Sequence, residues 1–374
     1  MKKTLCYVTS FAKKNAVFCI AMLAAIITAF IVPPDNKYLE YIDYKTLTCL
    51  FCTLSVVCAL RNIFFFRVLA NKIVCLFGNT RSCILALVFI TFIGSMLIAN
   101  DMALITFLPL GYYVLSETNG KKYLAFACIM QNIAANLGGM LTPFGNPQNL
   151  YLYTYYDIGD AAFLRIMLPP FLFSVAGIVL CCFIFVKKEP LKPENTFEKK
   201  LPGLRTVLYV ALFCLSIAIV FEVFPYYIGL IVILISLLFL DRKALTQVDY
   251  GLLFTFVMFF IFSSNMARID TVSSFLSGIV EKNPIIAGVV SCQFISNVPT
   301  AILLCRFTTD FEKLLVAVNI GGAGTLISSL ASLITFKEFI KYSPKEAKRY
   351  LKLFSIYNFS FLFALTAIML IWYR

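Results

Sequence analysis

Seven stretches of this sequence are candidates to cross a lipid bilayer, and no other property limits the fold as strongly. They are 15–33, 44–60, 161–186, 205–223, 226–240, 250–263 (extended by its flanks) and 351–372. A spanning helix needs about 20 mostly apolar residues, and backbone in hydrocarbon must satisfy its hydrogen bonds internally. Composition removes the alternatives. Only 14% of the 374 residues are charged and 61% are hydrophobic, against about 25% charged in an ordinary soluble domain. That leaves too little polar side chain to cover a water-facing surface, and too much Phe, Ile and Leu for a disordered chain. The expected fold is an all-α polytopic membrane protein.

The formal net charge of +13, from 32 Lys and Arg against 19 Asp and Glu, becomes intelligible once the basic residues are placed. They cluster at Lys2, Lys3, Lys13 and Lys14; at Arg61, Arg67, Lys72 and Arg81; at Lys187, Lys188, Lys192, Lys199, Lys200 and Arg205; and from Lys337 to Lys352. All four clusters fall on the cytoplasmic side if the N-terminus is inside and the C-terminus outside, as the positive-inside rule prefers. The charge is then a topological signal and implies no nucleic-acid partner. Lys13 and Lys14 also suit a signal peptide, but the first run ends in Pro33-Pro34 without a small-x-small cleavage site, so a retained helix is expected.

That topology requires 82–115 to enter and leave on the cytoplasmic side, and 284–306 on the outer side, as re-entrant hairpins. It also reveals a repeat. Asn136-Leu-Gly138-Gly139-Met-Leu-Thr142 matches Asn319-Ile-Gly321-Gly322-Ala-Gly-Thr325, 183 positions on. Tyr41-Ile-Asp43-Tyr44 matches Gln247-Val-Asp249-Tyr250, and Asn100-Asp101 falls opposite Asn297-Val298. The expected organisation is an N-terminal helix over 1–40; a first repeat over 41–186, with hairpin 82–115 and broken helix 121–158; a cytoplasmic linker over 187–204; connecting helices over 205–246; and a second repeat over 247–374, with hairpin 284–306 and broken helix 311–335. The two repeats are expected to be inverted, the arrangement of secondary transporters with a midplane site.

The interruptions carry the chemistry. Asn100-Asp101 and Ser296-Asn297 are expected to cap the second arms of the hairpins, presenting unpaired N–H groups that favour an anion. The partner breaks run from Thr142 through Pro143, Gly145, Asn146, Gln148 and Asn149, and from Thr325 through Ser328 to Ser329. Gly and Pro unwind the helix while Thr, Ser, Asn and Gln offer oxygens and amides. Thr300 and Asn319 complete the candidate set. Asp101 is the one acid left within the membrane, which by default marks an ion path. It would carry a proton, bind sodium together with Asn100, Asn146, Asn297 and Thr325, or serve only as a helix cap. The 13 cysteines are scattered through apolar runs, including Cys49 and Cys52, and read as small hydrophobes. No histidine, Walker motif or nucleophile–base pair suggests a cofactor or an enzyme.

Asn100-Asp101-Met-Ala-Leu, the Thr142-Pro-Phe-Gly-Asn-Pro-Gln-Asn149 break and Ser296-Asn297-Val-Pro-Thr300 resemble the ion transporter superfamily. That group holds arsenite permeases, NhaD-type antiporters, citrate transporters and divalent anion symporters. The resemblance implies paired inverted repeats, a homodimer and elevator-like movement. The tips lack the Thr of the Ser-Asn-Thr tips in divalent anion symporters and look closer to bacterial anion permeases. The function expected from these readings is secondary transport of a small anion or oxyanion across the inner membrane, coupled to protons or sodium. A sodium/proton antiporter is the alternative.

Overall fold

The computed structural model describes residues 16–74, 76–116, 119–190 and 200–374. The expectations resting on Lys2, Lys3, Lys13, Lys14, Lys192 and Lys199, and on 191–199 of the 187–204 linker, lie outside these residues. Helix α1 forms over Ala16–Ile31. The first half then runs α2 (Tyr44–Asn62), α3 (Phe65–Val74), α4 (Thr80–Ile98), α5 (Asn100–Ser116), α6 (Leu124–Gly138), α7 (Pro147–Tyr155) and α8 (Asp160–Phe185). Helices α9 (Gly203–Val220), α10 (Tyr226–Leu240) and the short α11 (Arg242–Thr246) connect the halves. The second half repeats the order with α12 (Tyr250–Ala267), α13 (Asp270–Val280), α14 (Pro284–Ile295), α15 (Asn297–Leu304), α16 (Phe311–Ile320), α17 (Leu330–Tyr342) and α18 (Ala347–Trp372).

Matching residues start the matching helices. Asp43 accepts from Thr46 N at 2.9 Å to cap α2, and Asp249 accepts from Leu252 N at 3.0 Å to cap α12. Each satisfies an N–H that a helix start leaves without an intrahelical partner. The two helices run in opposite directions. The C-terminal part of α2 meets the approach to α12, where Cys58 Sγ contacts Gln247 O at 3.6 Å and Asn62 donates to Asp241 at 2.9 Å on the way. At the other end, Asn265 of α12 donates to Tyr38 at 2.9 Å and Arg268 grips Asp35, both just before α2.

Seven helical stretches among the described residues have the length and composition to cross a membrane. Helices α1 and α10 are apolar but shorter. Bare apolar side chains stand on them, Phe30 at 84% and Phe239 at 83% exposed, and on α18, Ile371 at 72%, which suits contact with lipid chains. Cys49 and Cys52 are buried and unbridged, as small hydrophobes. One boundary differs from the expectation. The second broken helix resumes at Leu330 and continues to Tyr342 rather than ending at 335. Lys337 and Lys341 therefore lie on a helix, and Lys341 pairs with Glu338 one turn before it at 2.5 Å.

Helix α4, about 28 Å long at 1.5 Å per residue, does not continue past Ile98. The chain turns at Ala99 and returns as α5. The start of α4 and the end of α8 share one face, where Thr80 N bonds Glu189 O at 2.9 Å. Lys122, just before α6, reaches the same Glu189 at 2.7 Å. The α4–α5 pair thus opens toward the face on which α6 begins, and its tip reaches the level at which α6 breaks.

Candidate functional site

The two hairpin tips share one unusual backbone. Ala99 has φ 64° and ψ 150°, and Ser296 has φ 74° and ψ 158°. Side chains other than glycine rarely adopt this region, at a cost on the order of 1–3 kcal/mol, and they hold it only where the surroundings enforce it. Just past each turn an asparagine folds back on its own helix: Asn100 Oδ1 accepts from Asp101 N at 2.8 Å, and Asn297 Oδ1 accepts from Val298 N at 2.9 Å. Of the expected Ser296-Asn297 pair, Asn297 makes the cap bond and the Ser296 hydroxyl makes none.

At the second tip the expectation of unpaired N–H groups is corrected. In the second hairpin Asn297 N donates to Ser328 O at 2.9 Å, Val298 N is taken by Asn297, and Pro299 has no N–H. The backbone N–H groups of this tip are thus saturated, which leaves its side chains as the groups free to bind. Thr300 is similarly committed, its hydroxyl bonding Ser296 O one turn back at 2.7 Å.

Each tip is tied to the break that follows it by a threonine. Thr142 Oγ1 donates to Met96 O at 2.7 Å, and Thr325 Oγ1 donates to Gln293 O at 3.0 Å. Met96 and Gln293 both lie three residues before their turns. Gly145 permits the first break to close. A Cβ there would lie 2.4 Å from Gly139 O and 2.6 Å from Thr142 Oγ1. Asn149 then fastens the loop by donating to Gly139 O and Met140 O, both at 3.2 Å. In the second break Ser328 Oγ reaches Gly322 O at 2.9 Å and Thr325 O at 2.8 Å.

The two breaks also bind one another. Ser329 Oγ donates to Asn136 Oδ1 at 2.7 Å, while Asn146 Nδ2 donates to Asn319 Oδ1 at 3.2 Å. Asn136 matches Asn319 and Asn146 matches Ser329, both at the 183-residue offset, so the halves exchange equivalent bonds. Asn319 Nδ2 further donates to Asn149 Oδ1 at 2.6 Å, and Asn100 Nδ2 donates to Asn136 Oδ1 at 3.3 Å. Gln148 Nε2 lies 3.5 Å from Asn319 Oδ1, and Asn297 Nδ2 lies beside Gly322. Of the expected site residues, Asn100, Asn146, Gln148, Asn149, Asn297 and Asn319 therefore converge. Thr142, Gly145, Ser296, Thr300, Thr325 and Ser328 shape the loops around them. Within this buried cluster the donor Asn136 Nδ2 and the acceptors Asn146 Oδ1 and Gln148 Oε1 have no protein partner.

Asp101 faces elsewhere. It lines a cavity of about 80 Å³ together with Thr53, Asn100, Phe144, Pro147, Asp249 and Leu252, among others. Asn146, Asn297 and Thr325 are not in its lining, so the sodium set expected around Asp101 is divided, with only Asn100 beside it. Asp101 Oδ1 is buried without a donor.

The candidate set left out Asn136, Ser329, Thr53 and Asp249, although Ser329 was placed within the second break. The first two were open to discovery: Asn136 is the repeat partner of Asn319, and Ser329 of Asn146. Asp249 was visible only as a helix start, and nothing in the sequence distinguishes Thr53 from other threonines in apolar helices.

Spanning helices, paired strained tips and an amide-lined junction between two equivalent breaks are the equipment of a multi-pass membrane transporter rather than an enzyme. The chain belongs to the citrate transporter family, whose pattern matches residues 6–312. It is 32% identical over 297 residues to an uncharacterized transporter of Methanocaldococcus jannaschii, covering 79% of this chain and 81% of that protein. An inner membrane protein of Escherichia coli is 28% identical over 333 residues, 86% of this chain and 87% of its own length. A silicon efflux transporter of Oryza sativa subsp. japonica is 29% identical over 173 residues, 45% of this chain and 35% of the plant protein.

Proposed function

We propose that the protein is a secondary active transporter that moves a small oxyanion, or its partly protonated oxyacid, across the inner membrane, driven by protons or sodium. The observation that carries this reading is the mixture of unpartnered groups in the junction. Asn136 Nδ2 calls for an acceptor, and Asn146 Oδ1 and Gln148 Oε1 call for donors. Leaving such groups buried without partners costs about 1–3 kcal/mol each. A hydroxylated oxyacid presents both kinds of oxygen, bare and protonated, and so complements all three. The names of two similar proteins fit this chemistry. Citrate is an oxygen-rich anion, and silicon in water is a hydroxylated oxyacid.

The opposed directions of α2 and α12 support inverted repeats, the geometry of alternating access. With the basic clusters inside, the N-terminus is cytoplasmic and the C-terminus outside, and the bare apolar faces meet the bilayer. A homodimer remains part of the proposal through the superfamily resemblance. A sodium/proton antiporter is the second reading, favoured by the unpartnered oxygen of Asp101. Purified protein in liposomes, given labelled oxyanions under imposed pH or sodium gradients, tests the choice. Gradient-driven oxyanion uptake is expected, and sodium-driven proton flux with no oxyanion movement would replace the first reading by the second.

A further inference from the structure

The Asp101 cavity holds a second unpartnered group, from a different helix. Thr53 of α2 is 5% exposed, and its buried hydroxyl neither bonds back to its own helix nor finds another hydrogen-bond partner in the protein. A buried hydroxyl without a partner is uncommon, because the preceding turn of the helix normally offers a carbonyl. Two residues of different helices, Thr53 and Asp101, therefore line the same space and each carries a buried oxygen without a hydrogen-bond partner.

We infer that this space is a cation site for a sodium-sized monovalent ion, held by Asp101 and Thr53 and entered past Asp249. Asp101 supplies the anionic ligand. It lies in the first turn of α5, where the helix dipole favours an ionised carboxylate. Thr53 supplies a neutral oxygen. The end of α4 contributes as well, since Ala99 borders the cavity just past the last turn of that helix, and half-helix C-terminal ends suit cations. Among the described residues no Lys or Arg lines the cavity. The nearby Arg61 points its guanidinium at Met102 Sδ, 3.6 Å away, and borders a neighbouring pocket with Arg67.

Asp249 makes the site accessible. It is exposed, it lines the same cavity, and it stands within electrostatic reach of Asp101. One Asp249 oxygen caps α12, leaving the other to draw a cation from water. A volume of about 80 Å³ admits a hydrated ion, since one water needs about 10–15 Å³ of such space, and lies below the roughly 300 Å³ of a typical organic-ligand pocket. The site combines one carboxylate from the first half's hairpin with one from the second half's opening helix. A relative movement of the halves would assemble or dismantle it.

The inference rests on the transport reading only in calling the ion a coupling ion. Binding of radiolabelled sodium to the purified full chain in detergent tests it. Wild type should bind saturably and Asp101→Asn should not. Thr53→Val and Asp249→Asn should each bind about tenfold more weakly, and Thr53→Ser should restore binding. Asparagine caps helices nearly as well as aspartate, so Asp249→Asn keeps α12, and thermal unfolding confirms that each variant is folded. Wild-type affinity in Asp101→Asn would overturn the inference. So would absent saturable binding in wild type, even where oxyanions are still transported. Saturable binding lost in Asp101→Asn, in a protein that moves no oxyanion under any gradient, would support the site and sink the transport reading.

Discussion

Ser329 and Asn136 are joined across the two halves by a 2.7 Å hydrogen bond, and the equivalent residues Asn146 and Asn319 make the reverse connection at 3.2 Å. Each half thus closes its partner's break. The breaks are shaped by bonds within their own halves and joined by these bonds between the halves, so a relative movement of the halves would disturb both.

Asn136→Ala should remove the acceptor shared by Ser329 and Asn100 and leave both side chains searching for a partner. Unpaired buried groups cost about 1–3 kcal/mol, so a measurable fall in thermal stability is expected, with most transport lost. Asn319→Ala should behave alike, because it strips partners from Asn146 and Asn149. Equal stability and transport in either variant would show that the exchange is incidental.

Gly145→Ala should be far more damaging than its single methyl suggests. The added carbon would meet Gly139 O and Thr142 Oγ1, at 2.4 and 2.6 Å, and neither a carbonyl nor a threonine pinned to Met96 can retreat. Gly159→Ala is the control, with nothing within 4 Å of its new carbon. Liposome uptake should be abolished in the first and unchanged in the second.

Thr325→Val keeps volume but loses a hydroxyl that donates to Gln293 O and accepts from Ser328 N at 3.1 Å. A loss of about 1–3 kcal/mol is expected, read as a lower thermal midpoint in detergent. Thr142→Val, the equivalent in the first half, should fall by a comparable amount.

Acid should weaken the tie between α12 and the segment before α2. The hydrogen bond from Arg268, with help from Lys37 N, holds the Asp35 carboxyl below its ordinary value of 3.8. A lowered folded value means the contribution is complete above 3.8 and fades as pH falls through the lowered value. The pair is exposed, so the effect is small and salt weakens it. Asp35→Asn should have a lower thermal midpoint than wild type at neutral pH, and the two should converge in strong acid. A constant difference would mean that the carboxylate charge contributes nothing.

Orientation can be read by chemical labelling. Single cysteines replacing Lys243, next to the α12 start, and Lys37, next to α2, lie toward opposite ends of the antiparallel α2–α12 pair. In right-side-out membrane vesicles an impermeant thiol reagent, in a background freed of native cysteines, should label position 37 and spare 243. The opposite pattern would reverse the proposed topology.

Much of the architecture was legible because membrane helices are written in long apolar runs and their interruptions stand out. Both strained turns occur where the sequence breaks at Asn100 and Asn297, and the Asp caps of α2 and α12 coincide with the paired Asp43 and Asp249. The tips were harder to read. A cap motif predicts which N–H groups need partners, but not that Ser328 O, thirty residues on, would supply one. Thr53 was invisible, since an unpartnered hydroxyl is defined by what fails to surround it.

The sequence by itself therefore determined the helices, their breaks, the repeated order and the one acid at a hairpin tip, all local properties of polarity and backbone preference. The tertiary structure decided which polar groups share a space. It put the amides of both breaks in one junction and gave Asp101 to another, beside Thr53 and Asp249. That division depends on distances between residues up to two hundred positions apart, which only the packing of one half against the other sets.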